Sequence, residues 1–210
     1  MQLIGKPNRQ QQRREASYKA MIDSAQRCFH DRGYAATTIQ DIVEGTPHTH
    51  GAFYHHFKNK EDCFWQVIAY REQARGEWYK LPLVVDRAST SLEELLNQVF
   101  AGFSETLERR NLWVLTMVDF FAQHRDDPEA RRRLAEIYNG WRREIRQFVS
   151  NLQTGGWIAT DQDPDLLAAQ IFAHGEGTDV HASVYSLDPT AAQAAKVNGL
   201  VKLLAPGARS

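Results

Sequence analysis

Apolar residues recur three and four positions apart along most of this chain, which is the spacing of helices with one buried face. The first such segment has its apolar positions between Tyr18 and Phe29, and Gly33 is a stop signal after it. The sequence Thr38-Ile39-Gln40-Asp41 has the form of a capping box and predicts a short helix. After a tight turn at Gly45-Thr46-Pro47, two further helices are predicted: a short one from about Thr49 to His56, and a longer one from Lys58 to about Tyr79, stopped by Leu81-Pro82.

Longer helices with clear start signals are predicted beyond residue 82. Ser91 to Glu94 is a second capping box, and the apolar face of the helix that follows includes Phe103 and Leu107. The run from Leu112 to Ala122 is apolar nearly all round, which predicts a helix buried on most sides. The remaining start and stop signals are Asp127-Pro128, Gly155-Gly156, Asp163-Pro164, Asp188-Pro189 and Pro206-Gly207. With no alternating strand pattern, the sequence predicts an all-α fold of about nine helices.

The composition is that of a globular protein. The 210 residues are 24% charged and 42% hydrophobic, which excludes a collagen, a disordered tail and a disulfide-built miniprotein. No apolar stretch is long enough to span a membrane, and the first six residues lack the apolar centre of a signal peptide, so we expect a cytoplasmic protein without membrane contact. Cys28 and Cys63 each lie in an apolar pattern and are expected to be reduced core residues. No cofactor motif is present, and we expect no cofactor.

Charge is distributed unevenly along the sequence. Residues 1–60 contain nine Lys and Arg against five Asp and Glu, a net charge of +4, while the remainder carries −5. Five of the eight histidines also lie in the first 60 residues. A basic N-terminal segment on a neutral to acidic body is typical of a protein that binds nucleic acid through its N-terminus.

Two short helices joined by a tight turn, with a longer helix on each side, form the layout of a helix-turn-helix DNA reader. The second short helix must enter the major groove, so its exposed face needs small or polar side chains and donors for phosphates. Free backbone N–H groups at Thr38 are expected to meet a further phosphate. The sequence supplies small or polar side chains at Thr49, His50 and Gly51, and phosphate donors at Tyr54, His55, His56 and Lys60.

Several residues between positions 13 and 68 form the pattern of a known DNA-binding domain: Phe29, Gly33-Tyr34, Thr37-Thr38-Ile39, Asp41-Ile42, Thr49, Gly51, Tyr54, His56-Phe57 and Lys60-Glu61. With this pattern, residues 13–68 resemble the DNA-binding domain of the TetR family of bacterial transcriptional regulators. The resemblance implies a helical ligand-binding body and a homodimer formed by the last two helices. It therefore divides the chain into a DNA-binding domain, residues 1–58, and a ligand-binding and dimerisation domain, residues 59–210.

The turn between the short helices departs from the family pattern. The family usually has alanine, glycine and a branched apolar residue where this chain has Thr46, Pro47 and His48. Proline fixes φ near −65° and cannot replace a glycine with positive φ, so we expect a locally rearranged turn. His48 is expected at the edge of the groove, where it reads a base.

Other interpretations of this basic segment stay open at the level of sequence. Tyr54 and Phe57 are alternatively core aromatics. The histidines are alternatively metal ligands, but their spacing does not put two of them on one helix face, and we expect no metal. The basic lead from Lys6 to Arg14 is either a solvated arm or one that contacts DNA.

The body offers candidates for an effector pocket. Aromatic and apolar residues of two successive helices would wall a chamber for an apolar or aromatic ligand, although the same residues are alternatively plain core. Two polar residues inside apolar runs, Asp119 and His174, are candidate anchors because buried polar groups need partners. The wall residues are Trp113, Met117, Phe120, Phe121, Tyr138 and Trp141.

Small residues dominate the last two helices, from Ala168 to Ala182 and from Ala191 to Ala195. Small side chains let helices approach closely, which suits a symmetric four-helix interface between two subunits. We expect a homodimer that binds a palindromic double-stranded operator.

These observations predict a repressor released from its operator by a small-molecule effector. A transcriptional activator, or a regulator controlled by a protein partner, uses the same DNA-binding features and is the main alternative. A helical enzyme is a remote alternative, because the sequence has no nucleophile paired with a base and no phosphate loop.

Overall fold

The computed structural model describes residues 8–102 and 112–205. All regular secondary structure in these two ranges is helical, in agreement with the predicted all-α class. The chain forms two compact units, residues 1–74 and 75–210. A division of function between residues 58 and 59 remains a prediction.

From residue 8 onward, the N-terminal unit forms four α-helices, α1 to α4. Asn8 caps α1, its side-chain oxygen accepting a hydrogen bond from the backbone N–H of Gln11 at 2.8 Å. The first helix begins earlier than predicted, because Arg9 to Arg14 of the basic lead already form the first turns of α1. Lys6 lies outside the described residues. The bounds are Arg9–Ala36 for α1, Ile39–Glu44 for α2, His50–His56 for α3 and Lys60–Arg75 for α4.

The predicted stop at Gly33 is confirmed as a break in helical geometry. Gly33 has φ 80° and ψ 171° inside α1, a conformation that glycine adopts without steric cost. The last turn, which includes Tyr34, can then fold back onto the core, where Tyr34 stacks on Phe29 with 5.7 Å between ring centroids.

Large apolar side chains from all four helices form the core of the N-terminal unit. Phe64 of α4 contacts the rings of both Phe29 and Tyr34, at 5.4 and 5.0 Å between centroids. Phe53 is the buried side chain of α3. Phe57, which follows α3, is 1% exposed and stacks on Tyr18, so its alternative assignment to the core is correct.

The described residues of the C-terminal unit form a 3-10 helix and six further α-helices. Gly76, with φ 61°, follows α4, so that helix ends earlier than predicted. Pro82 does not stop a helix but lies in the first turn of a short one, where its missing N–H costs nothing. The bounds are Trp78–Lys80 for the 3-10 helix, Leu81–Val84 for α5, Leu92–Gly102 for α6, Leu112–Gln123 for α7, Pro128–Thr154 for α8, Pro164–Val184 for α9 and Pro189–Leu204 for α10.

Start signals in this unit act as predicted. Ser91 and Glu94 form the reciprocal hydrogen bonds of a capping box. Asp127 and Asp188 each accept hydrogen bonds from two first-turn N–H groups of the helix that follows, and Asp163 accepts from one. The predicted positions Phe103, Leu107 and Pro206-Gly207 lie outside the described residues.

The core of the C-terminal unit lies among α6, α8, α9 and α10, with Leu95, Phe148, Leu152 and Leu200 at its centre. The prediction that α7 is buried on most sides is wrong. Its inner face is buried, but a row of apolar side chains three residues apart faces outward: Leu115 (36% exposed), Val118 (53%) and Phe121 (46%).

Among the described residues, no helix is long and apolar enough to cross a membrane.

Candidate nucleic-acid interface and effector site

The turn between α2 and α3 is held by close packing and by one hydroxyl group. A Cβ atom on Gly45 would lie 2.1 Å from Ser24 Oγ of α1, so the backbone passes too close to α1 for a side chain. Thr46 Oγ1 donates to the carbonyl of Val43 at 2.9 Å and accepts from the backbone N–H of His48 at 3.2 Å. The hydroxyl of Thr46 thus ties the end of α2 to the start of the loop before α3.

Proline fits at position 47 because this turn does not use positive φ. Gly45 has φ −75°, and none of residues 45–49, all of which are described, has a positive φ. Gly45 is needed because the backbone passes close to α1, and not because of its backbone conformation. The sequence therefore folds into a helix-turn-helix with Pro47 accommodated in the turn.

One side of α3 is anchored and the other is exposed. Phe53 is 0% exposed beneath the helix, while Tyr54 is 59% exposed with its ring edge on Phe53. His50, Gly51 and His55 are also exposed. Four of the predicted DNA-contacting residues therefore share the open face of one short helix.

Thr49 and Gly51 leave the start of α3 unobstructed. Thr49 is the N-cap, but its hydroxyl makes no capping hydrogen bond. A Cβ atom on Gly51 would meet nothing nearer than Thr49 Oγ1 at 3.6 Å, which is ordinary contact. The fold itself does not require glycine at position 51, so any requirement for it comes from a bound partner.

Thr38 is exposed and caps α2, as predicted from its capping box. Asp41 N donates to Thr38 Oγ1 at 3.1 Å, and Thr38 N donates to Asp41 Oδ2 at 2.8 Å. The Asp41 carboxylate also accepts from the Thr38 hydroxyl at 2.7 Å. The hydrogen bonds from the Thr38 hydroxyl and backbone N–H, and then the guanidinium of Arg32, lower the pKa of Asp41. The carboxylate is therefore ionised at neutral pH and stabilises the N-terminus of α2.

His48 and His56 are less accessible than the other predicted contacts. His48 is half-buried. The His56 ring is also half-buried, with Nε2 3.2 Å from Ser17 Oγ and the ring against Tyr18. Burial, and then the charge of Arg14, lowers the pKa of His56, so the ring is neutral at pH 7. His56 therefore packs against α1 with part of its ring still accessible.

Lys60 contacts the end of α1. Its ammonium group donates to the carbonyls of Tyr34 and Thr37 at 2.9 Å and of Ala35 at 3.3 Å, and it lies 4.4 Å from the centroid of the Tyr34 ring. An ammonium group has three donors, and three carbonyls are within reach. This position favours a structural role over the predicted phosphate contact.

The histidines do not gather into a metal site. Within residues 8–102 and 112–205, no three His, Cys, Asp or Glu side chains are placed to hold a metal ion. Cys63 is buried and free, and burial raises the pKa of its thiol, as expected for a reduced core residue.

The predicted effector residues of α7 are divided between the interior and the surface. Trp113, Met117 and Phe120 are buried, and Phe120 stacks on His124 with 4.1 Å between ring centroids. Asp119 is half-buried, and Phe121 is exposed. Phe121 is thus on the outer face of α7, away from its buried side.

A second set of predicted effector residues, Tyr138 and Trp141, lies between α8 and α9. Tyr138 and Trp141 have ring centroids 5.0 Å apart, and Phe172 of α9 packs against both at 5.5 and 6.3 Å. Tyr138 and Glu176 are close enough for each to affect the pKa of the other. Burial raises the pKa of Glu176, and burial together with the Glu176 charge raises that of Tyr138.

The indole N–H of Trp141 has no hydrogen-bond acceptor in the described part of the chain, although the nitrogen is buried. A buried donor without a partner costs free energy, which an acceptor on a bound molecule would recover. Glu176 and Phe172 were not identified from the sequence. Glu176 interrupts a run of small and apolar residues, the same signal that identified Asp119 and His174.

His174, the other predicted anchor, contacts α10. Its Nε2 lies 3.0 Å from the carbonyl oxygen of Lys196. A Cβ atom on Gly199 would lie 2.3 Å from the imidazole ring, so the glycine makes room for it. Lys196 in turn pairs with Asp179 in a largely buried ion pair. His174 therefore joins α9 to α10.

Comparison with known protein families agrees with this architecture. Residues 21–67 match the family described as bacterial regulatory proteins, tetR family. Residues 92–204, more than half of the chain, match the C-terminal domain described as a BetI-type transcriptional repressor.

Individual relatives are also transcriptional repressors. The chain is 31% identical over 150 residues to the repressor KstR2 of Mycolicibacterium smegmatis, covering 70% of each protein. It is 28% identical over 151 residues to the repressor AcnR of Corynebacterium efficiens, covering 72% of this chain and 73% of AcnR.

Solved structures share the fold across both units. The fatty acid degradation regulator FadR from Bacillus halodurans is 19% identical with a TM-score of 0.67, covering 98% of this chain and 99% of FadR. The regulator FadR from Bacillus subtilis, solved with stearoyl-CoA, is 21% identical with a TM-score of 0.64, covering 89% and 97%. Because these similarities join a shared fold to family matches over both units, the chain belongs to the TetR family of bacterial transcriptional regulators and is not an enzyme.

Proposed function

We propose that the protein is a homodimeric repressor that binds a palindromic operator through α3 and is released by a small effector. The observation that carries this proposal is the open face of α3, where Thr49, His50, Gly51, Tyr54 and His55 project from a helix anchored by a buried phenylalanine. In this proposal His50 and Gly51 face base edges, and Tyr54 and His55 donate to phosphates.

The other predicted DNA contacts have different parts in this proposal. His48 stands at the edge of the groove. The structure of the N-terminal unit is stabilised by Thr38, His56 and Lys60, since each already makes hydrogen bonds within it. Any phosphate contact by Thr38 would come from N–H groups in the first turn of α2.

The last two helices are the proposed dimer interface. Exposed residues of α9 follow one stripe along the helix, from Leu166 (57% exposed) through Ala173 to Val184 (68% exposed). Exposed alanines of α10, among them Ala194, extend this small and apolar surface. A palindrome with half-sites one turn of DNA apart requires two copies of α3 about 34–36 Å apart, and a twofold dimer supplies two copies.

The dimer is tested by an arginine substitution on the stripe. Ala173→Arg should convert the protein to monomers in sedimentation experiments, because a charged side chain would be buried between the subunits. Ala101→Arg, on an exposed part of α6, is the matched control and should remain dimeric. A dimeric Ala173→Arg variant would place the interface elsewhere.

The proposed effector site is the aromatic cluster between α8 and α9. Rings of Tyr138, Trp141 and Phe172 would contact an apolar or aromatic body, and the unpaired indole N–H of Trp141 would donate to an acceptor on the ligand. The Bacillus subtilis FadR complex makes acyl-CoA esters a sensible first class of probe, beside aromatic carboxylates.

Effector binding and operator binding should be coupled by about 1 to 3 kcal/mol, and the coupling should be reciprocal. An effector found by screening for release from the operator should bind Trp141→Phe about tenfold more weakly, because the acceptor loses its donor. Operator affinity of that variant without effector should be unchanged. Equal effector affinity in the presence and absence of operator would exclude the release mechanism.

The DNA-binding proposal is tested with the DNA that flanks the gene. Purified protein should bind this DNA more tightly than a shuffled control of equal length, with a steep dependence on salt concentration. Equal binding to both would leave selection from random DNA as the decisive test of sequence-specific recognition.

A further inference from the structure

A polar groove lies beside the exposed face of α3 within the N-terminal unit. It encloses about 660 Å³ between α1, the end of α3 and α4. Residues spaced three and four apart on α1 form one wall, and Gln66 and Tyr70, four apart on α4, form the other. His55 and His56 close the end next to α3.

Arg14 is the candidate anion-binding side chain of this groove, because its charge is exposed and is not used in an ion pair or a hydrogen bond with any other described residue. Lys19, the other cation of the lining, is paired with Asp23 at 2.7 Å. Glu15 is the acidic residue of the lining, so an anion in the groove would lie on the Arg14 side.

Neutral donors surround this cation. Gln11 carries an amide N–H group, and Tyr18 and Tyr70 carry phenolic hydroxyls. The amide of Gln66 is held by the carbonyl of His56 and the carboxylate of Asp62, so it shapes the wall of the groove. His56 forms part of the lining as a neutral ring, because its burial and then the charge of Arg14 lower its pKa. One guanidinium among neutral donors is a chemistry suited to a phosphodiester, which carries a single negative charge and two acceptor oxygens.

The position of His55 connects the groove to the recognition surface. This exposed residue lines the groove and directly follows Tyr54 on α3. DNA held against α3 would therefore present a backbone segment next to the groove, as a continuous chain of phosphates.

We propose that the groove between α1, α3 and α4 binds the DNA phosphodiester backbone beside the bases read by α3, with Arg14 as the charged contact and His55 as its neighbour. The proposal rests on the proposed DNA-binding function and extends the contact surface from α3 to the first helix. It assigns Arg14 a role in affinity and in register along the DNA but none in reading bases.

The test compares two arginines that are adjacent on α1. Arg14→Gln removes the charge in the groove, and Arg13→Gln removes an equal charge from an exposed neighbour that does not line it. Both variants are made in the full-length protein and titrated with an operator obtained by selection from random DNA, over a series of salt concentrations.

Arg14→Gln should weaken binding to operator and to unrelated DNA alike, by about tenfold at 0.1 M salt. The slope of log affinity against log salt should fall by about 0.9 for each subunit, whereas Arg13→Gln should change it much less. Phosphate-ethylation interference should show one phosphate in each half-site whose modification blocks the wild type and has no further effect on Arg14→Gln.

Each outcome separates this inference from the function on which it rests. If the wild type binds no DNA specifically, the proposed function fails. If it binds an operator and the two arginine variants have equal salt slopes, or the same interference pattern, the groove is not a backbone site and only this inference is overturned. An effect of Arg14→Gln limited to inorganic phosphate binding would also overturn it, because the groove would then hold a free anion.

Discussion

The two compact units place their candidate binding chemistry in opposite ways. In the N-terminal unit, polar side chains such as His50 and Tyr54 stand on the surface of α3, and the helix is fixed by a buried phenylalanine beneath them. In the C-terminal unit, Tyr138, Trp141 and Glu176 lie half-buried between α8 and α9. A rigid polyanion must be met at a surface, whereas a small ligand must be enclosed.

This contrast has a consequence for substitutions. Surface groups of the N-terminal unit can be changed with loss of affinity alone, because they contribute little to packing. Substitution of residues that make hydrogen bonds within the N-terminal unit, or that are enclosed in the C-terminal unit, should change stability as well.

Gly45→Ala should have the largest effect, destabilising the N-terminal unit by about 2 kcal/mol. The added methyl group would overlap Ser24, whose hydroxyl donates to the buried carbonyl of Ile42 at 2.8 Å. Urea unfolding followed by circular dichroism measures the change. Gly140→Ala is the control in α8, where a Cβ atom would be no nearer than 3.8 Å to Arg143, and it should stabilise the protein by about 0.5 to 1 kcal/mol.

Lys60→Met should cost about 2 kcal/mol of stability, because three carbonyls at the end of α1 lose their common donor. The same unfolding experiment, paired with DNA titration, measures it. If the variant keeps its stability but loses DNA affinity, Lys60 contacts a phosphate, as predicted from the sequence, and does not stabilise the end of α1.

Tyr54→Phe should weaken binding to all DNA sequences by about tenfold and leave stability unchanged. Its ring is 59% exposed, and the substitution removes only the hydroxyl group proposed to donate to a phosphate. Fluorescence anisotropy on operator and shuffled DNA measures the affinities. Unchanged affinity would show that this face of α3 does not meet the backbone.

His56→Gln should have the smallest effect, visible only as a change in pH dependence. The folded protein lowers the pKa of His56, so the unfolded chain binds a proton first as pH falls. Stability is therefore complete above the unfolded pKa, near 6.5, and decreases as pH falls below it. Melting temperatures from pH 7.5 to 5 should fall less steeply for His56→Gln, and parallel curves would show that His56 is already free to titrate.

The sequence predicted the helices of the DNA-reading unit well because their signals are local. A capping box, a turn and an apolar face each involve neighbouring residues, as at Thr38 and Asp41. The fit of Pro47 was not predictable, since it depends on how Gly45 approaches α1. The bond from Lys60 to the end of α1 joins residues 23 to 26 positions apart and leaves no local pattern.

In the C-terminal unit, the helix boundaries could be predicted from the capping residues. Which side chains are buried could not be predicted in the same way. The outward face of α7 was unpredictable from its composition, because Val118 and Phe121 look like core residues in any apolar run. Likewise, the contact of His174 with Gly199 depends on the packing of α9 on α10. Which aromatics enclose an effector is set by this tertiary packing.

Selection of binding sites from random DNA, carried out in parallel with the wild type and His50→Gln, tests most directly whether the open face of α3 reads DNA. The account predicts a palindrome with half-sites about one helical turn apart, and a change in base preference at the same position of both half-sites in the variant. An identical motif for both proteins would contradict it, as would a wild type that selects no motif.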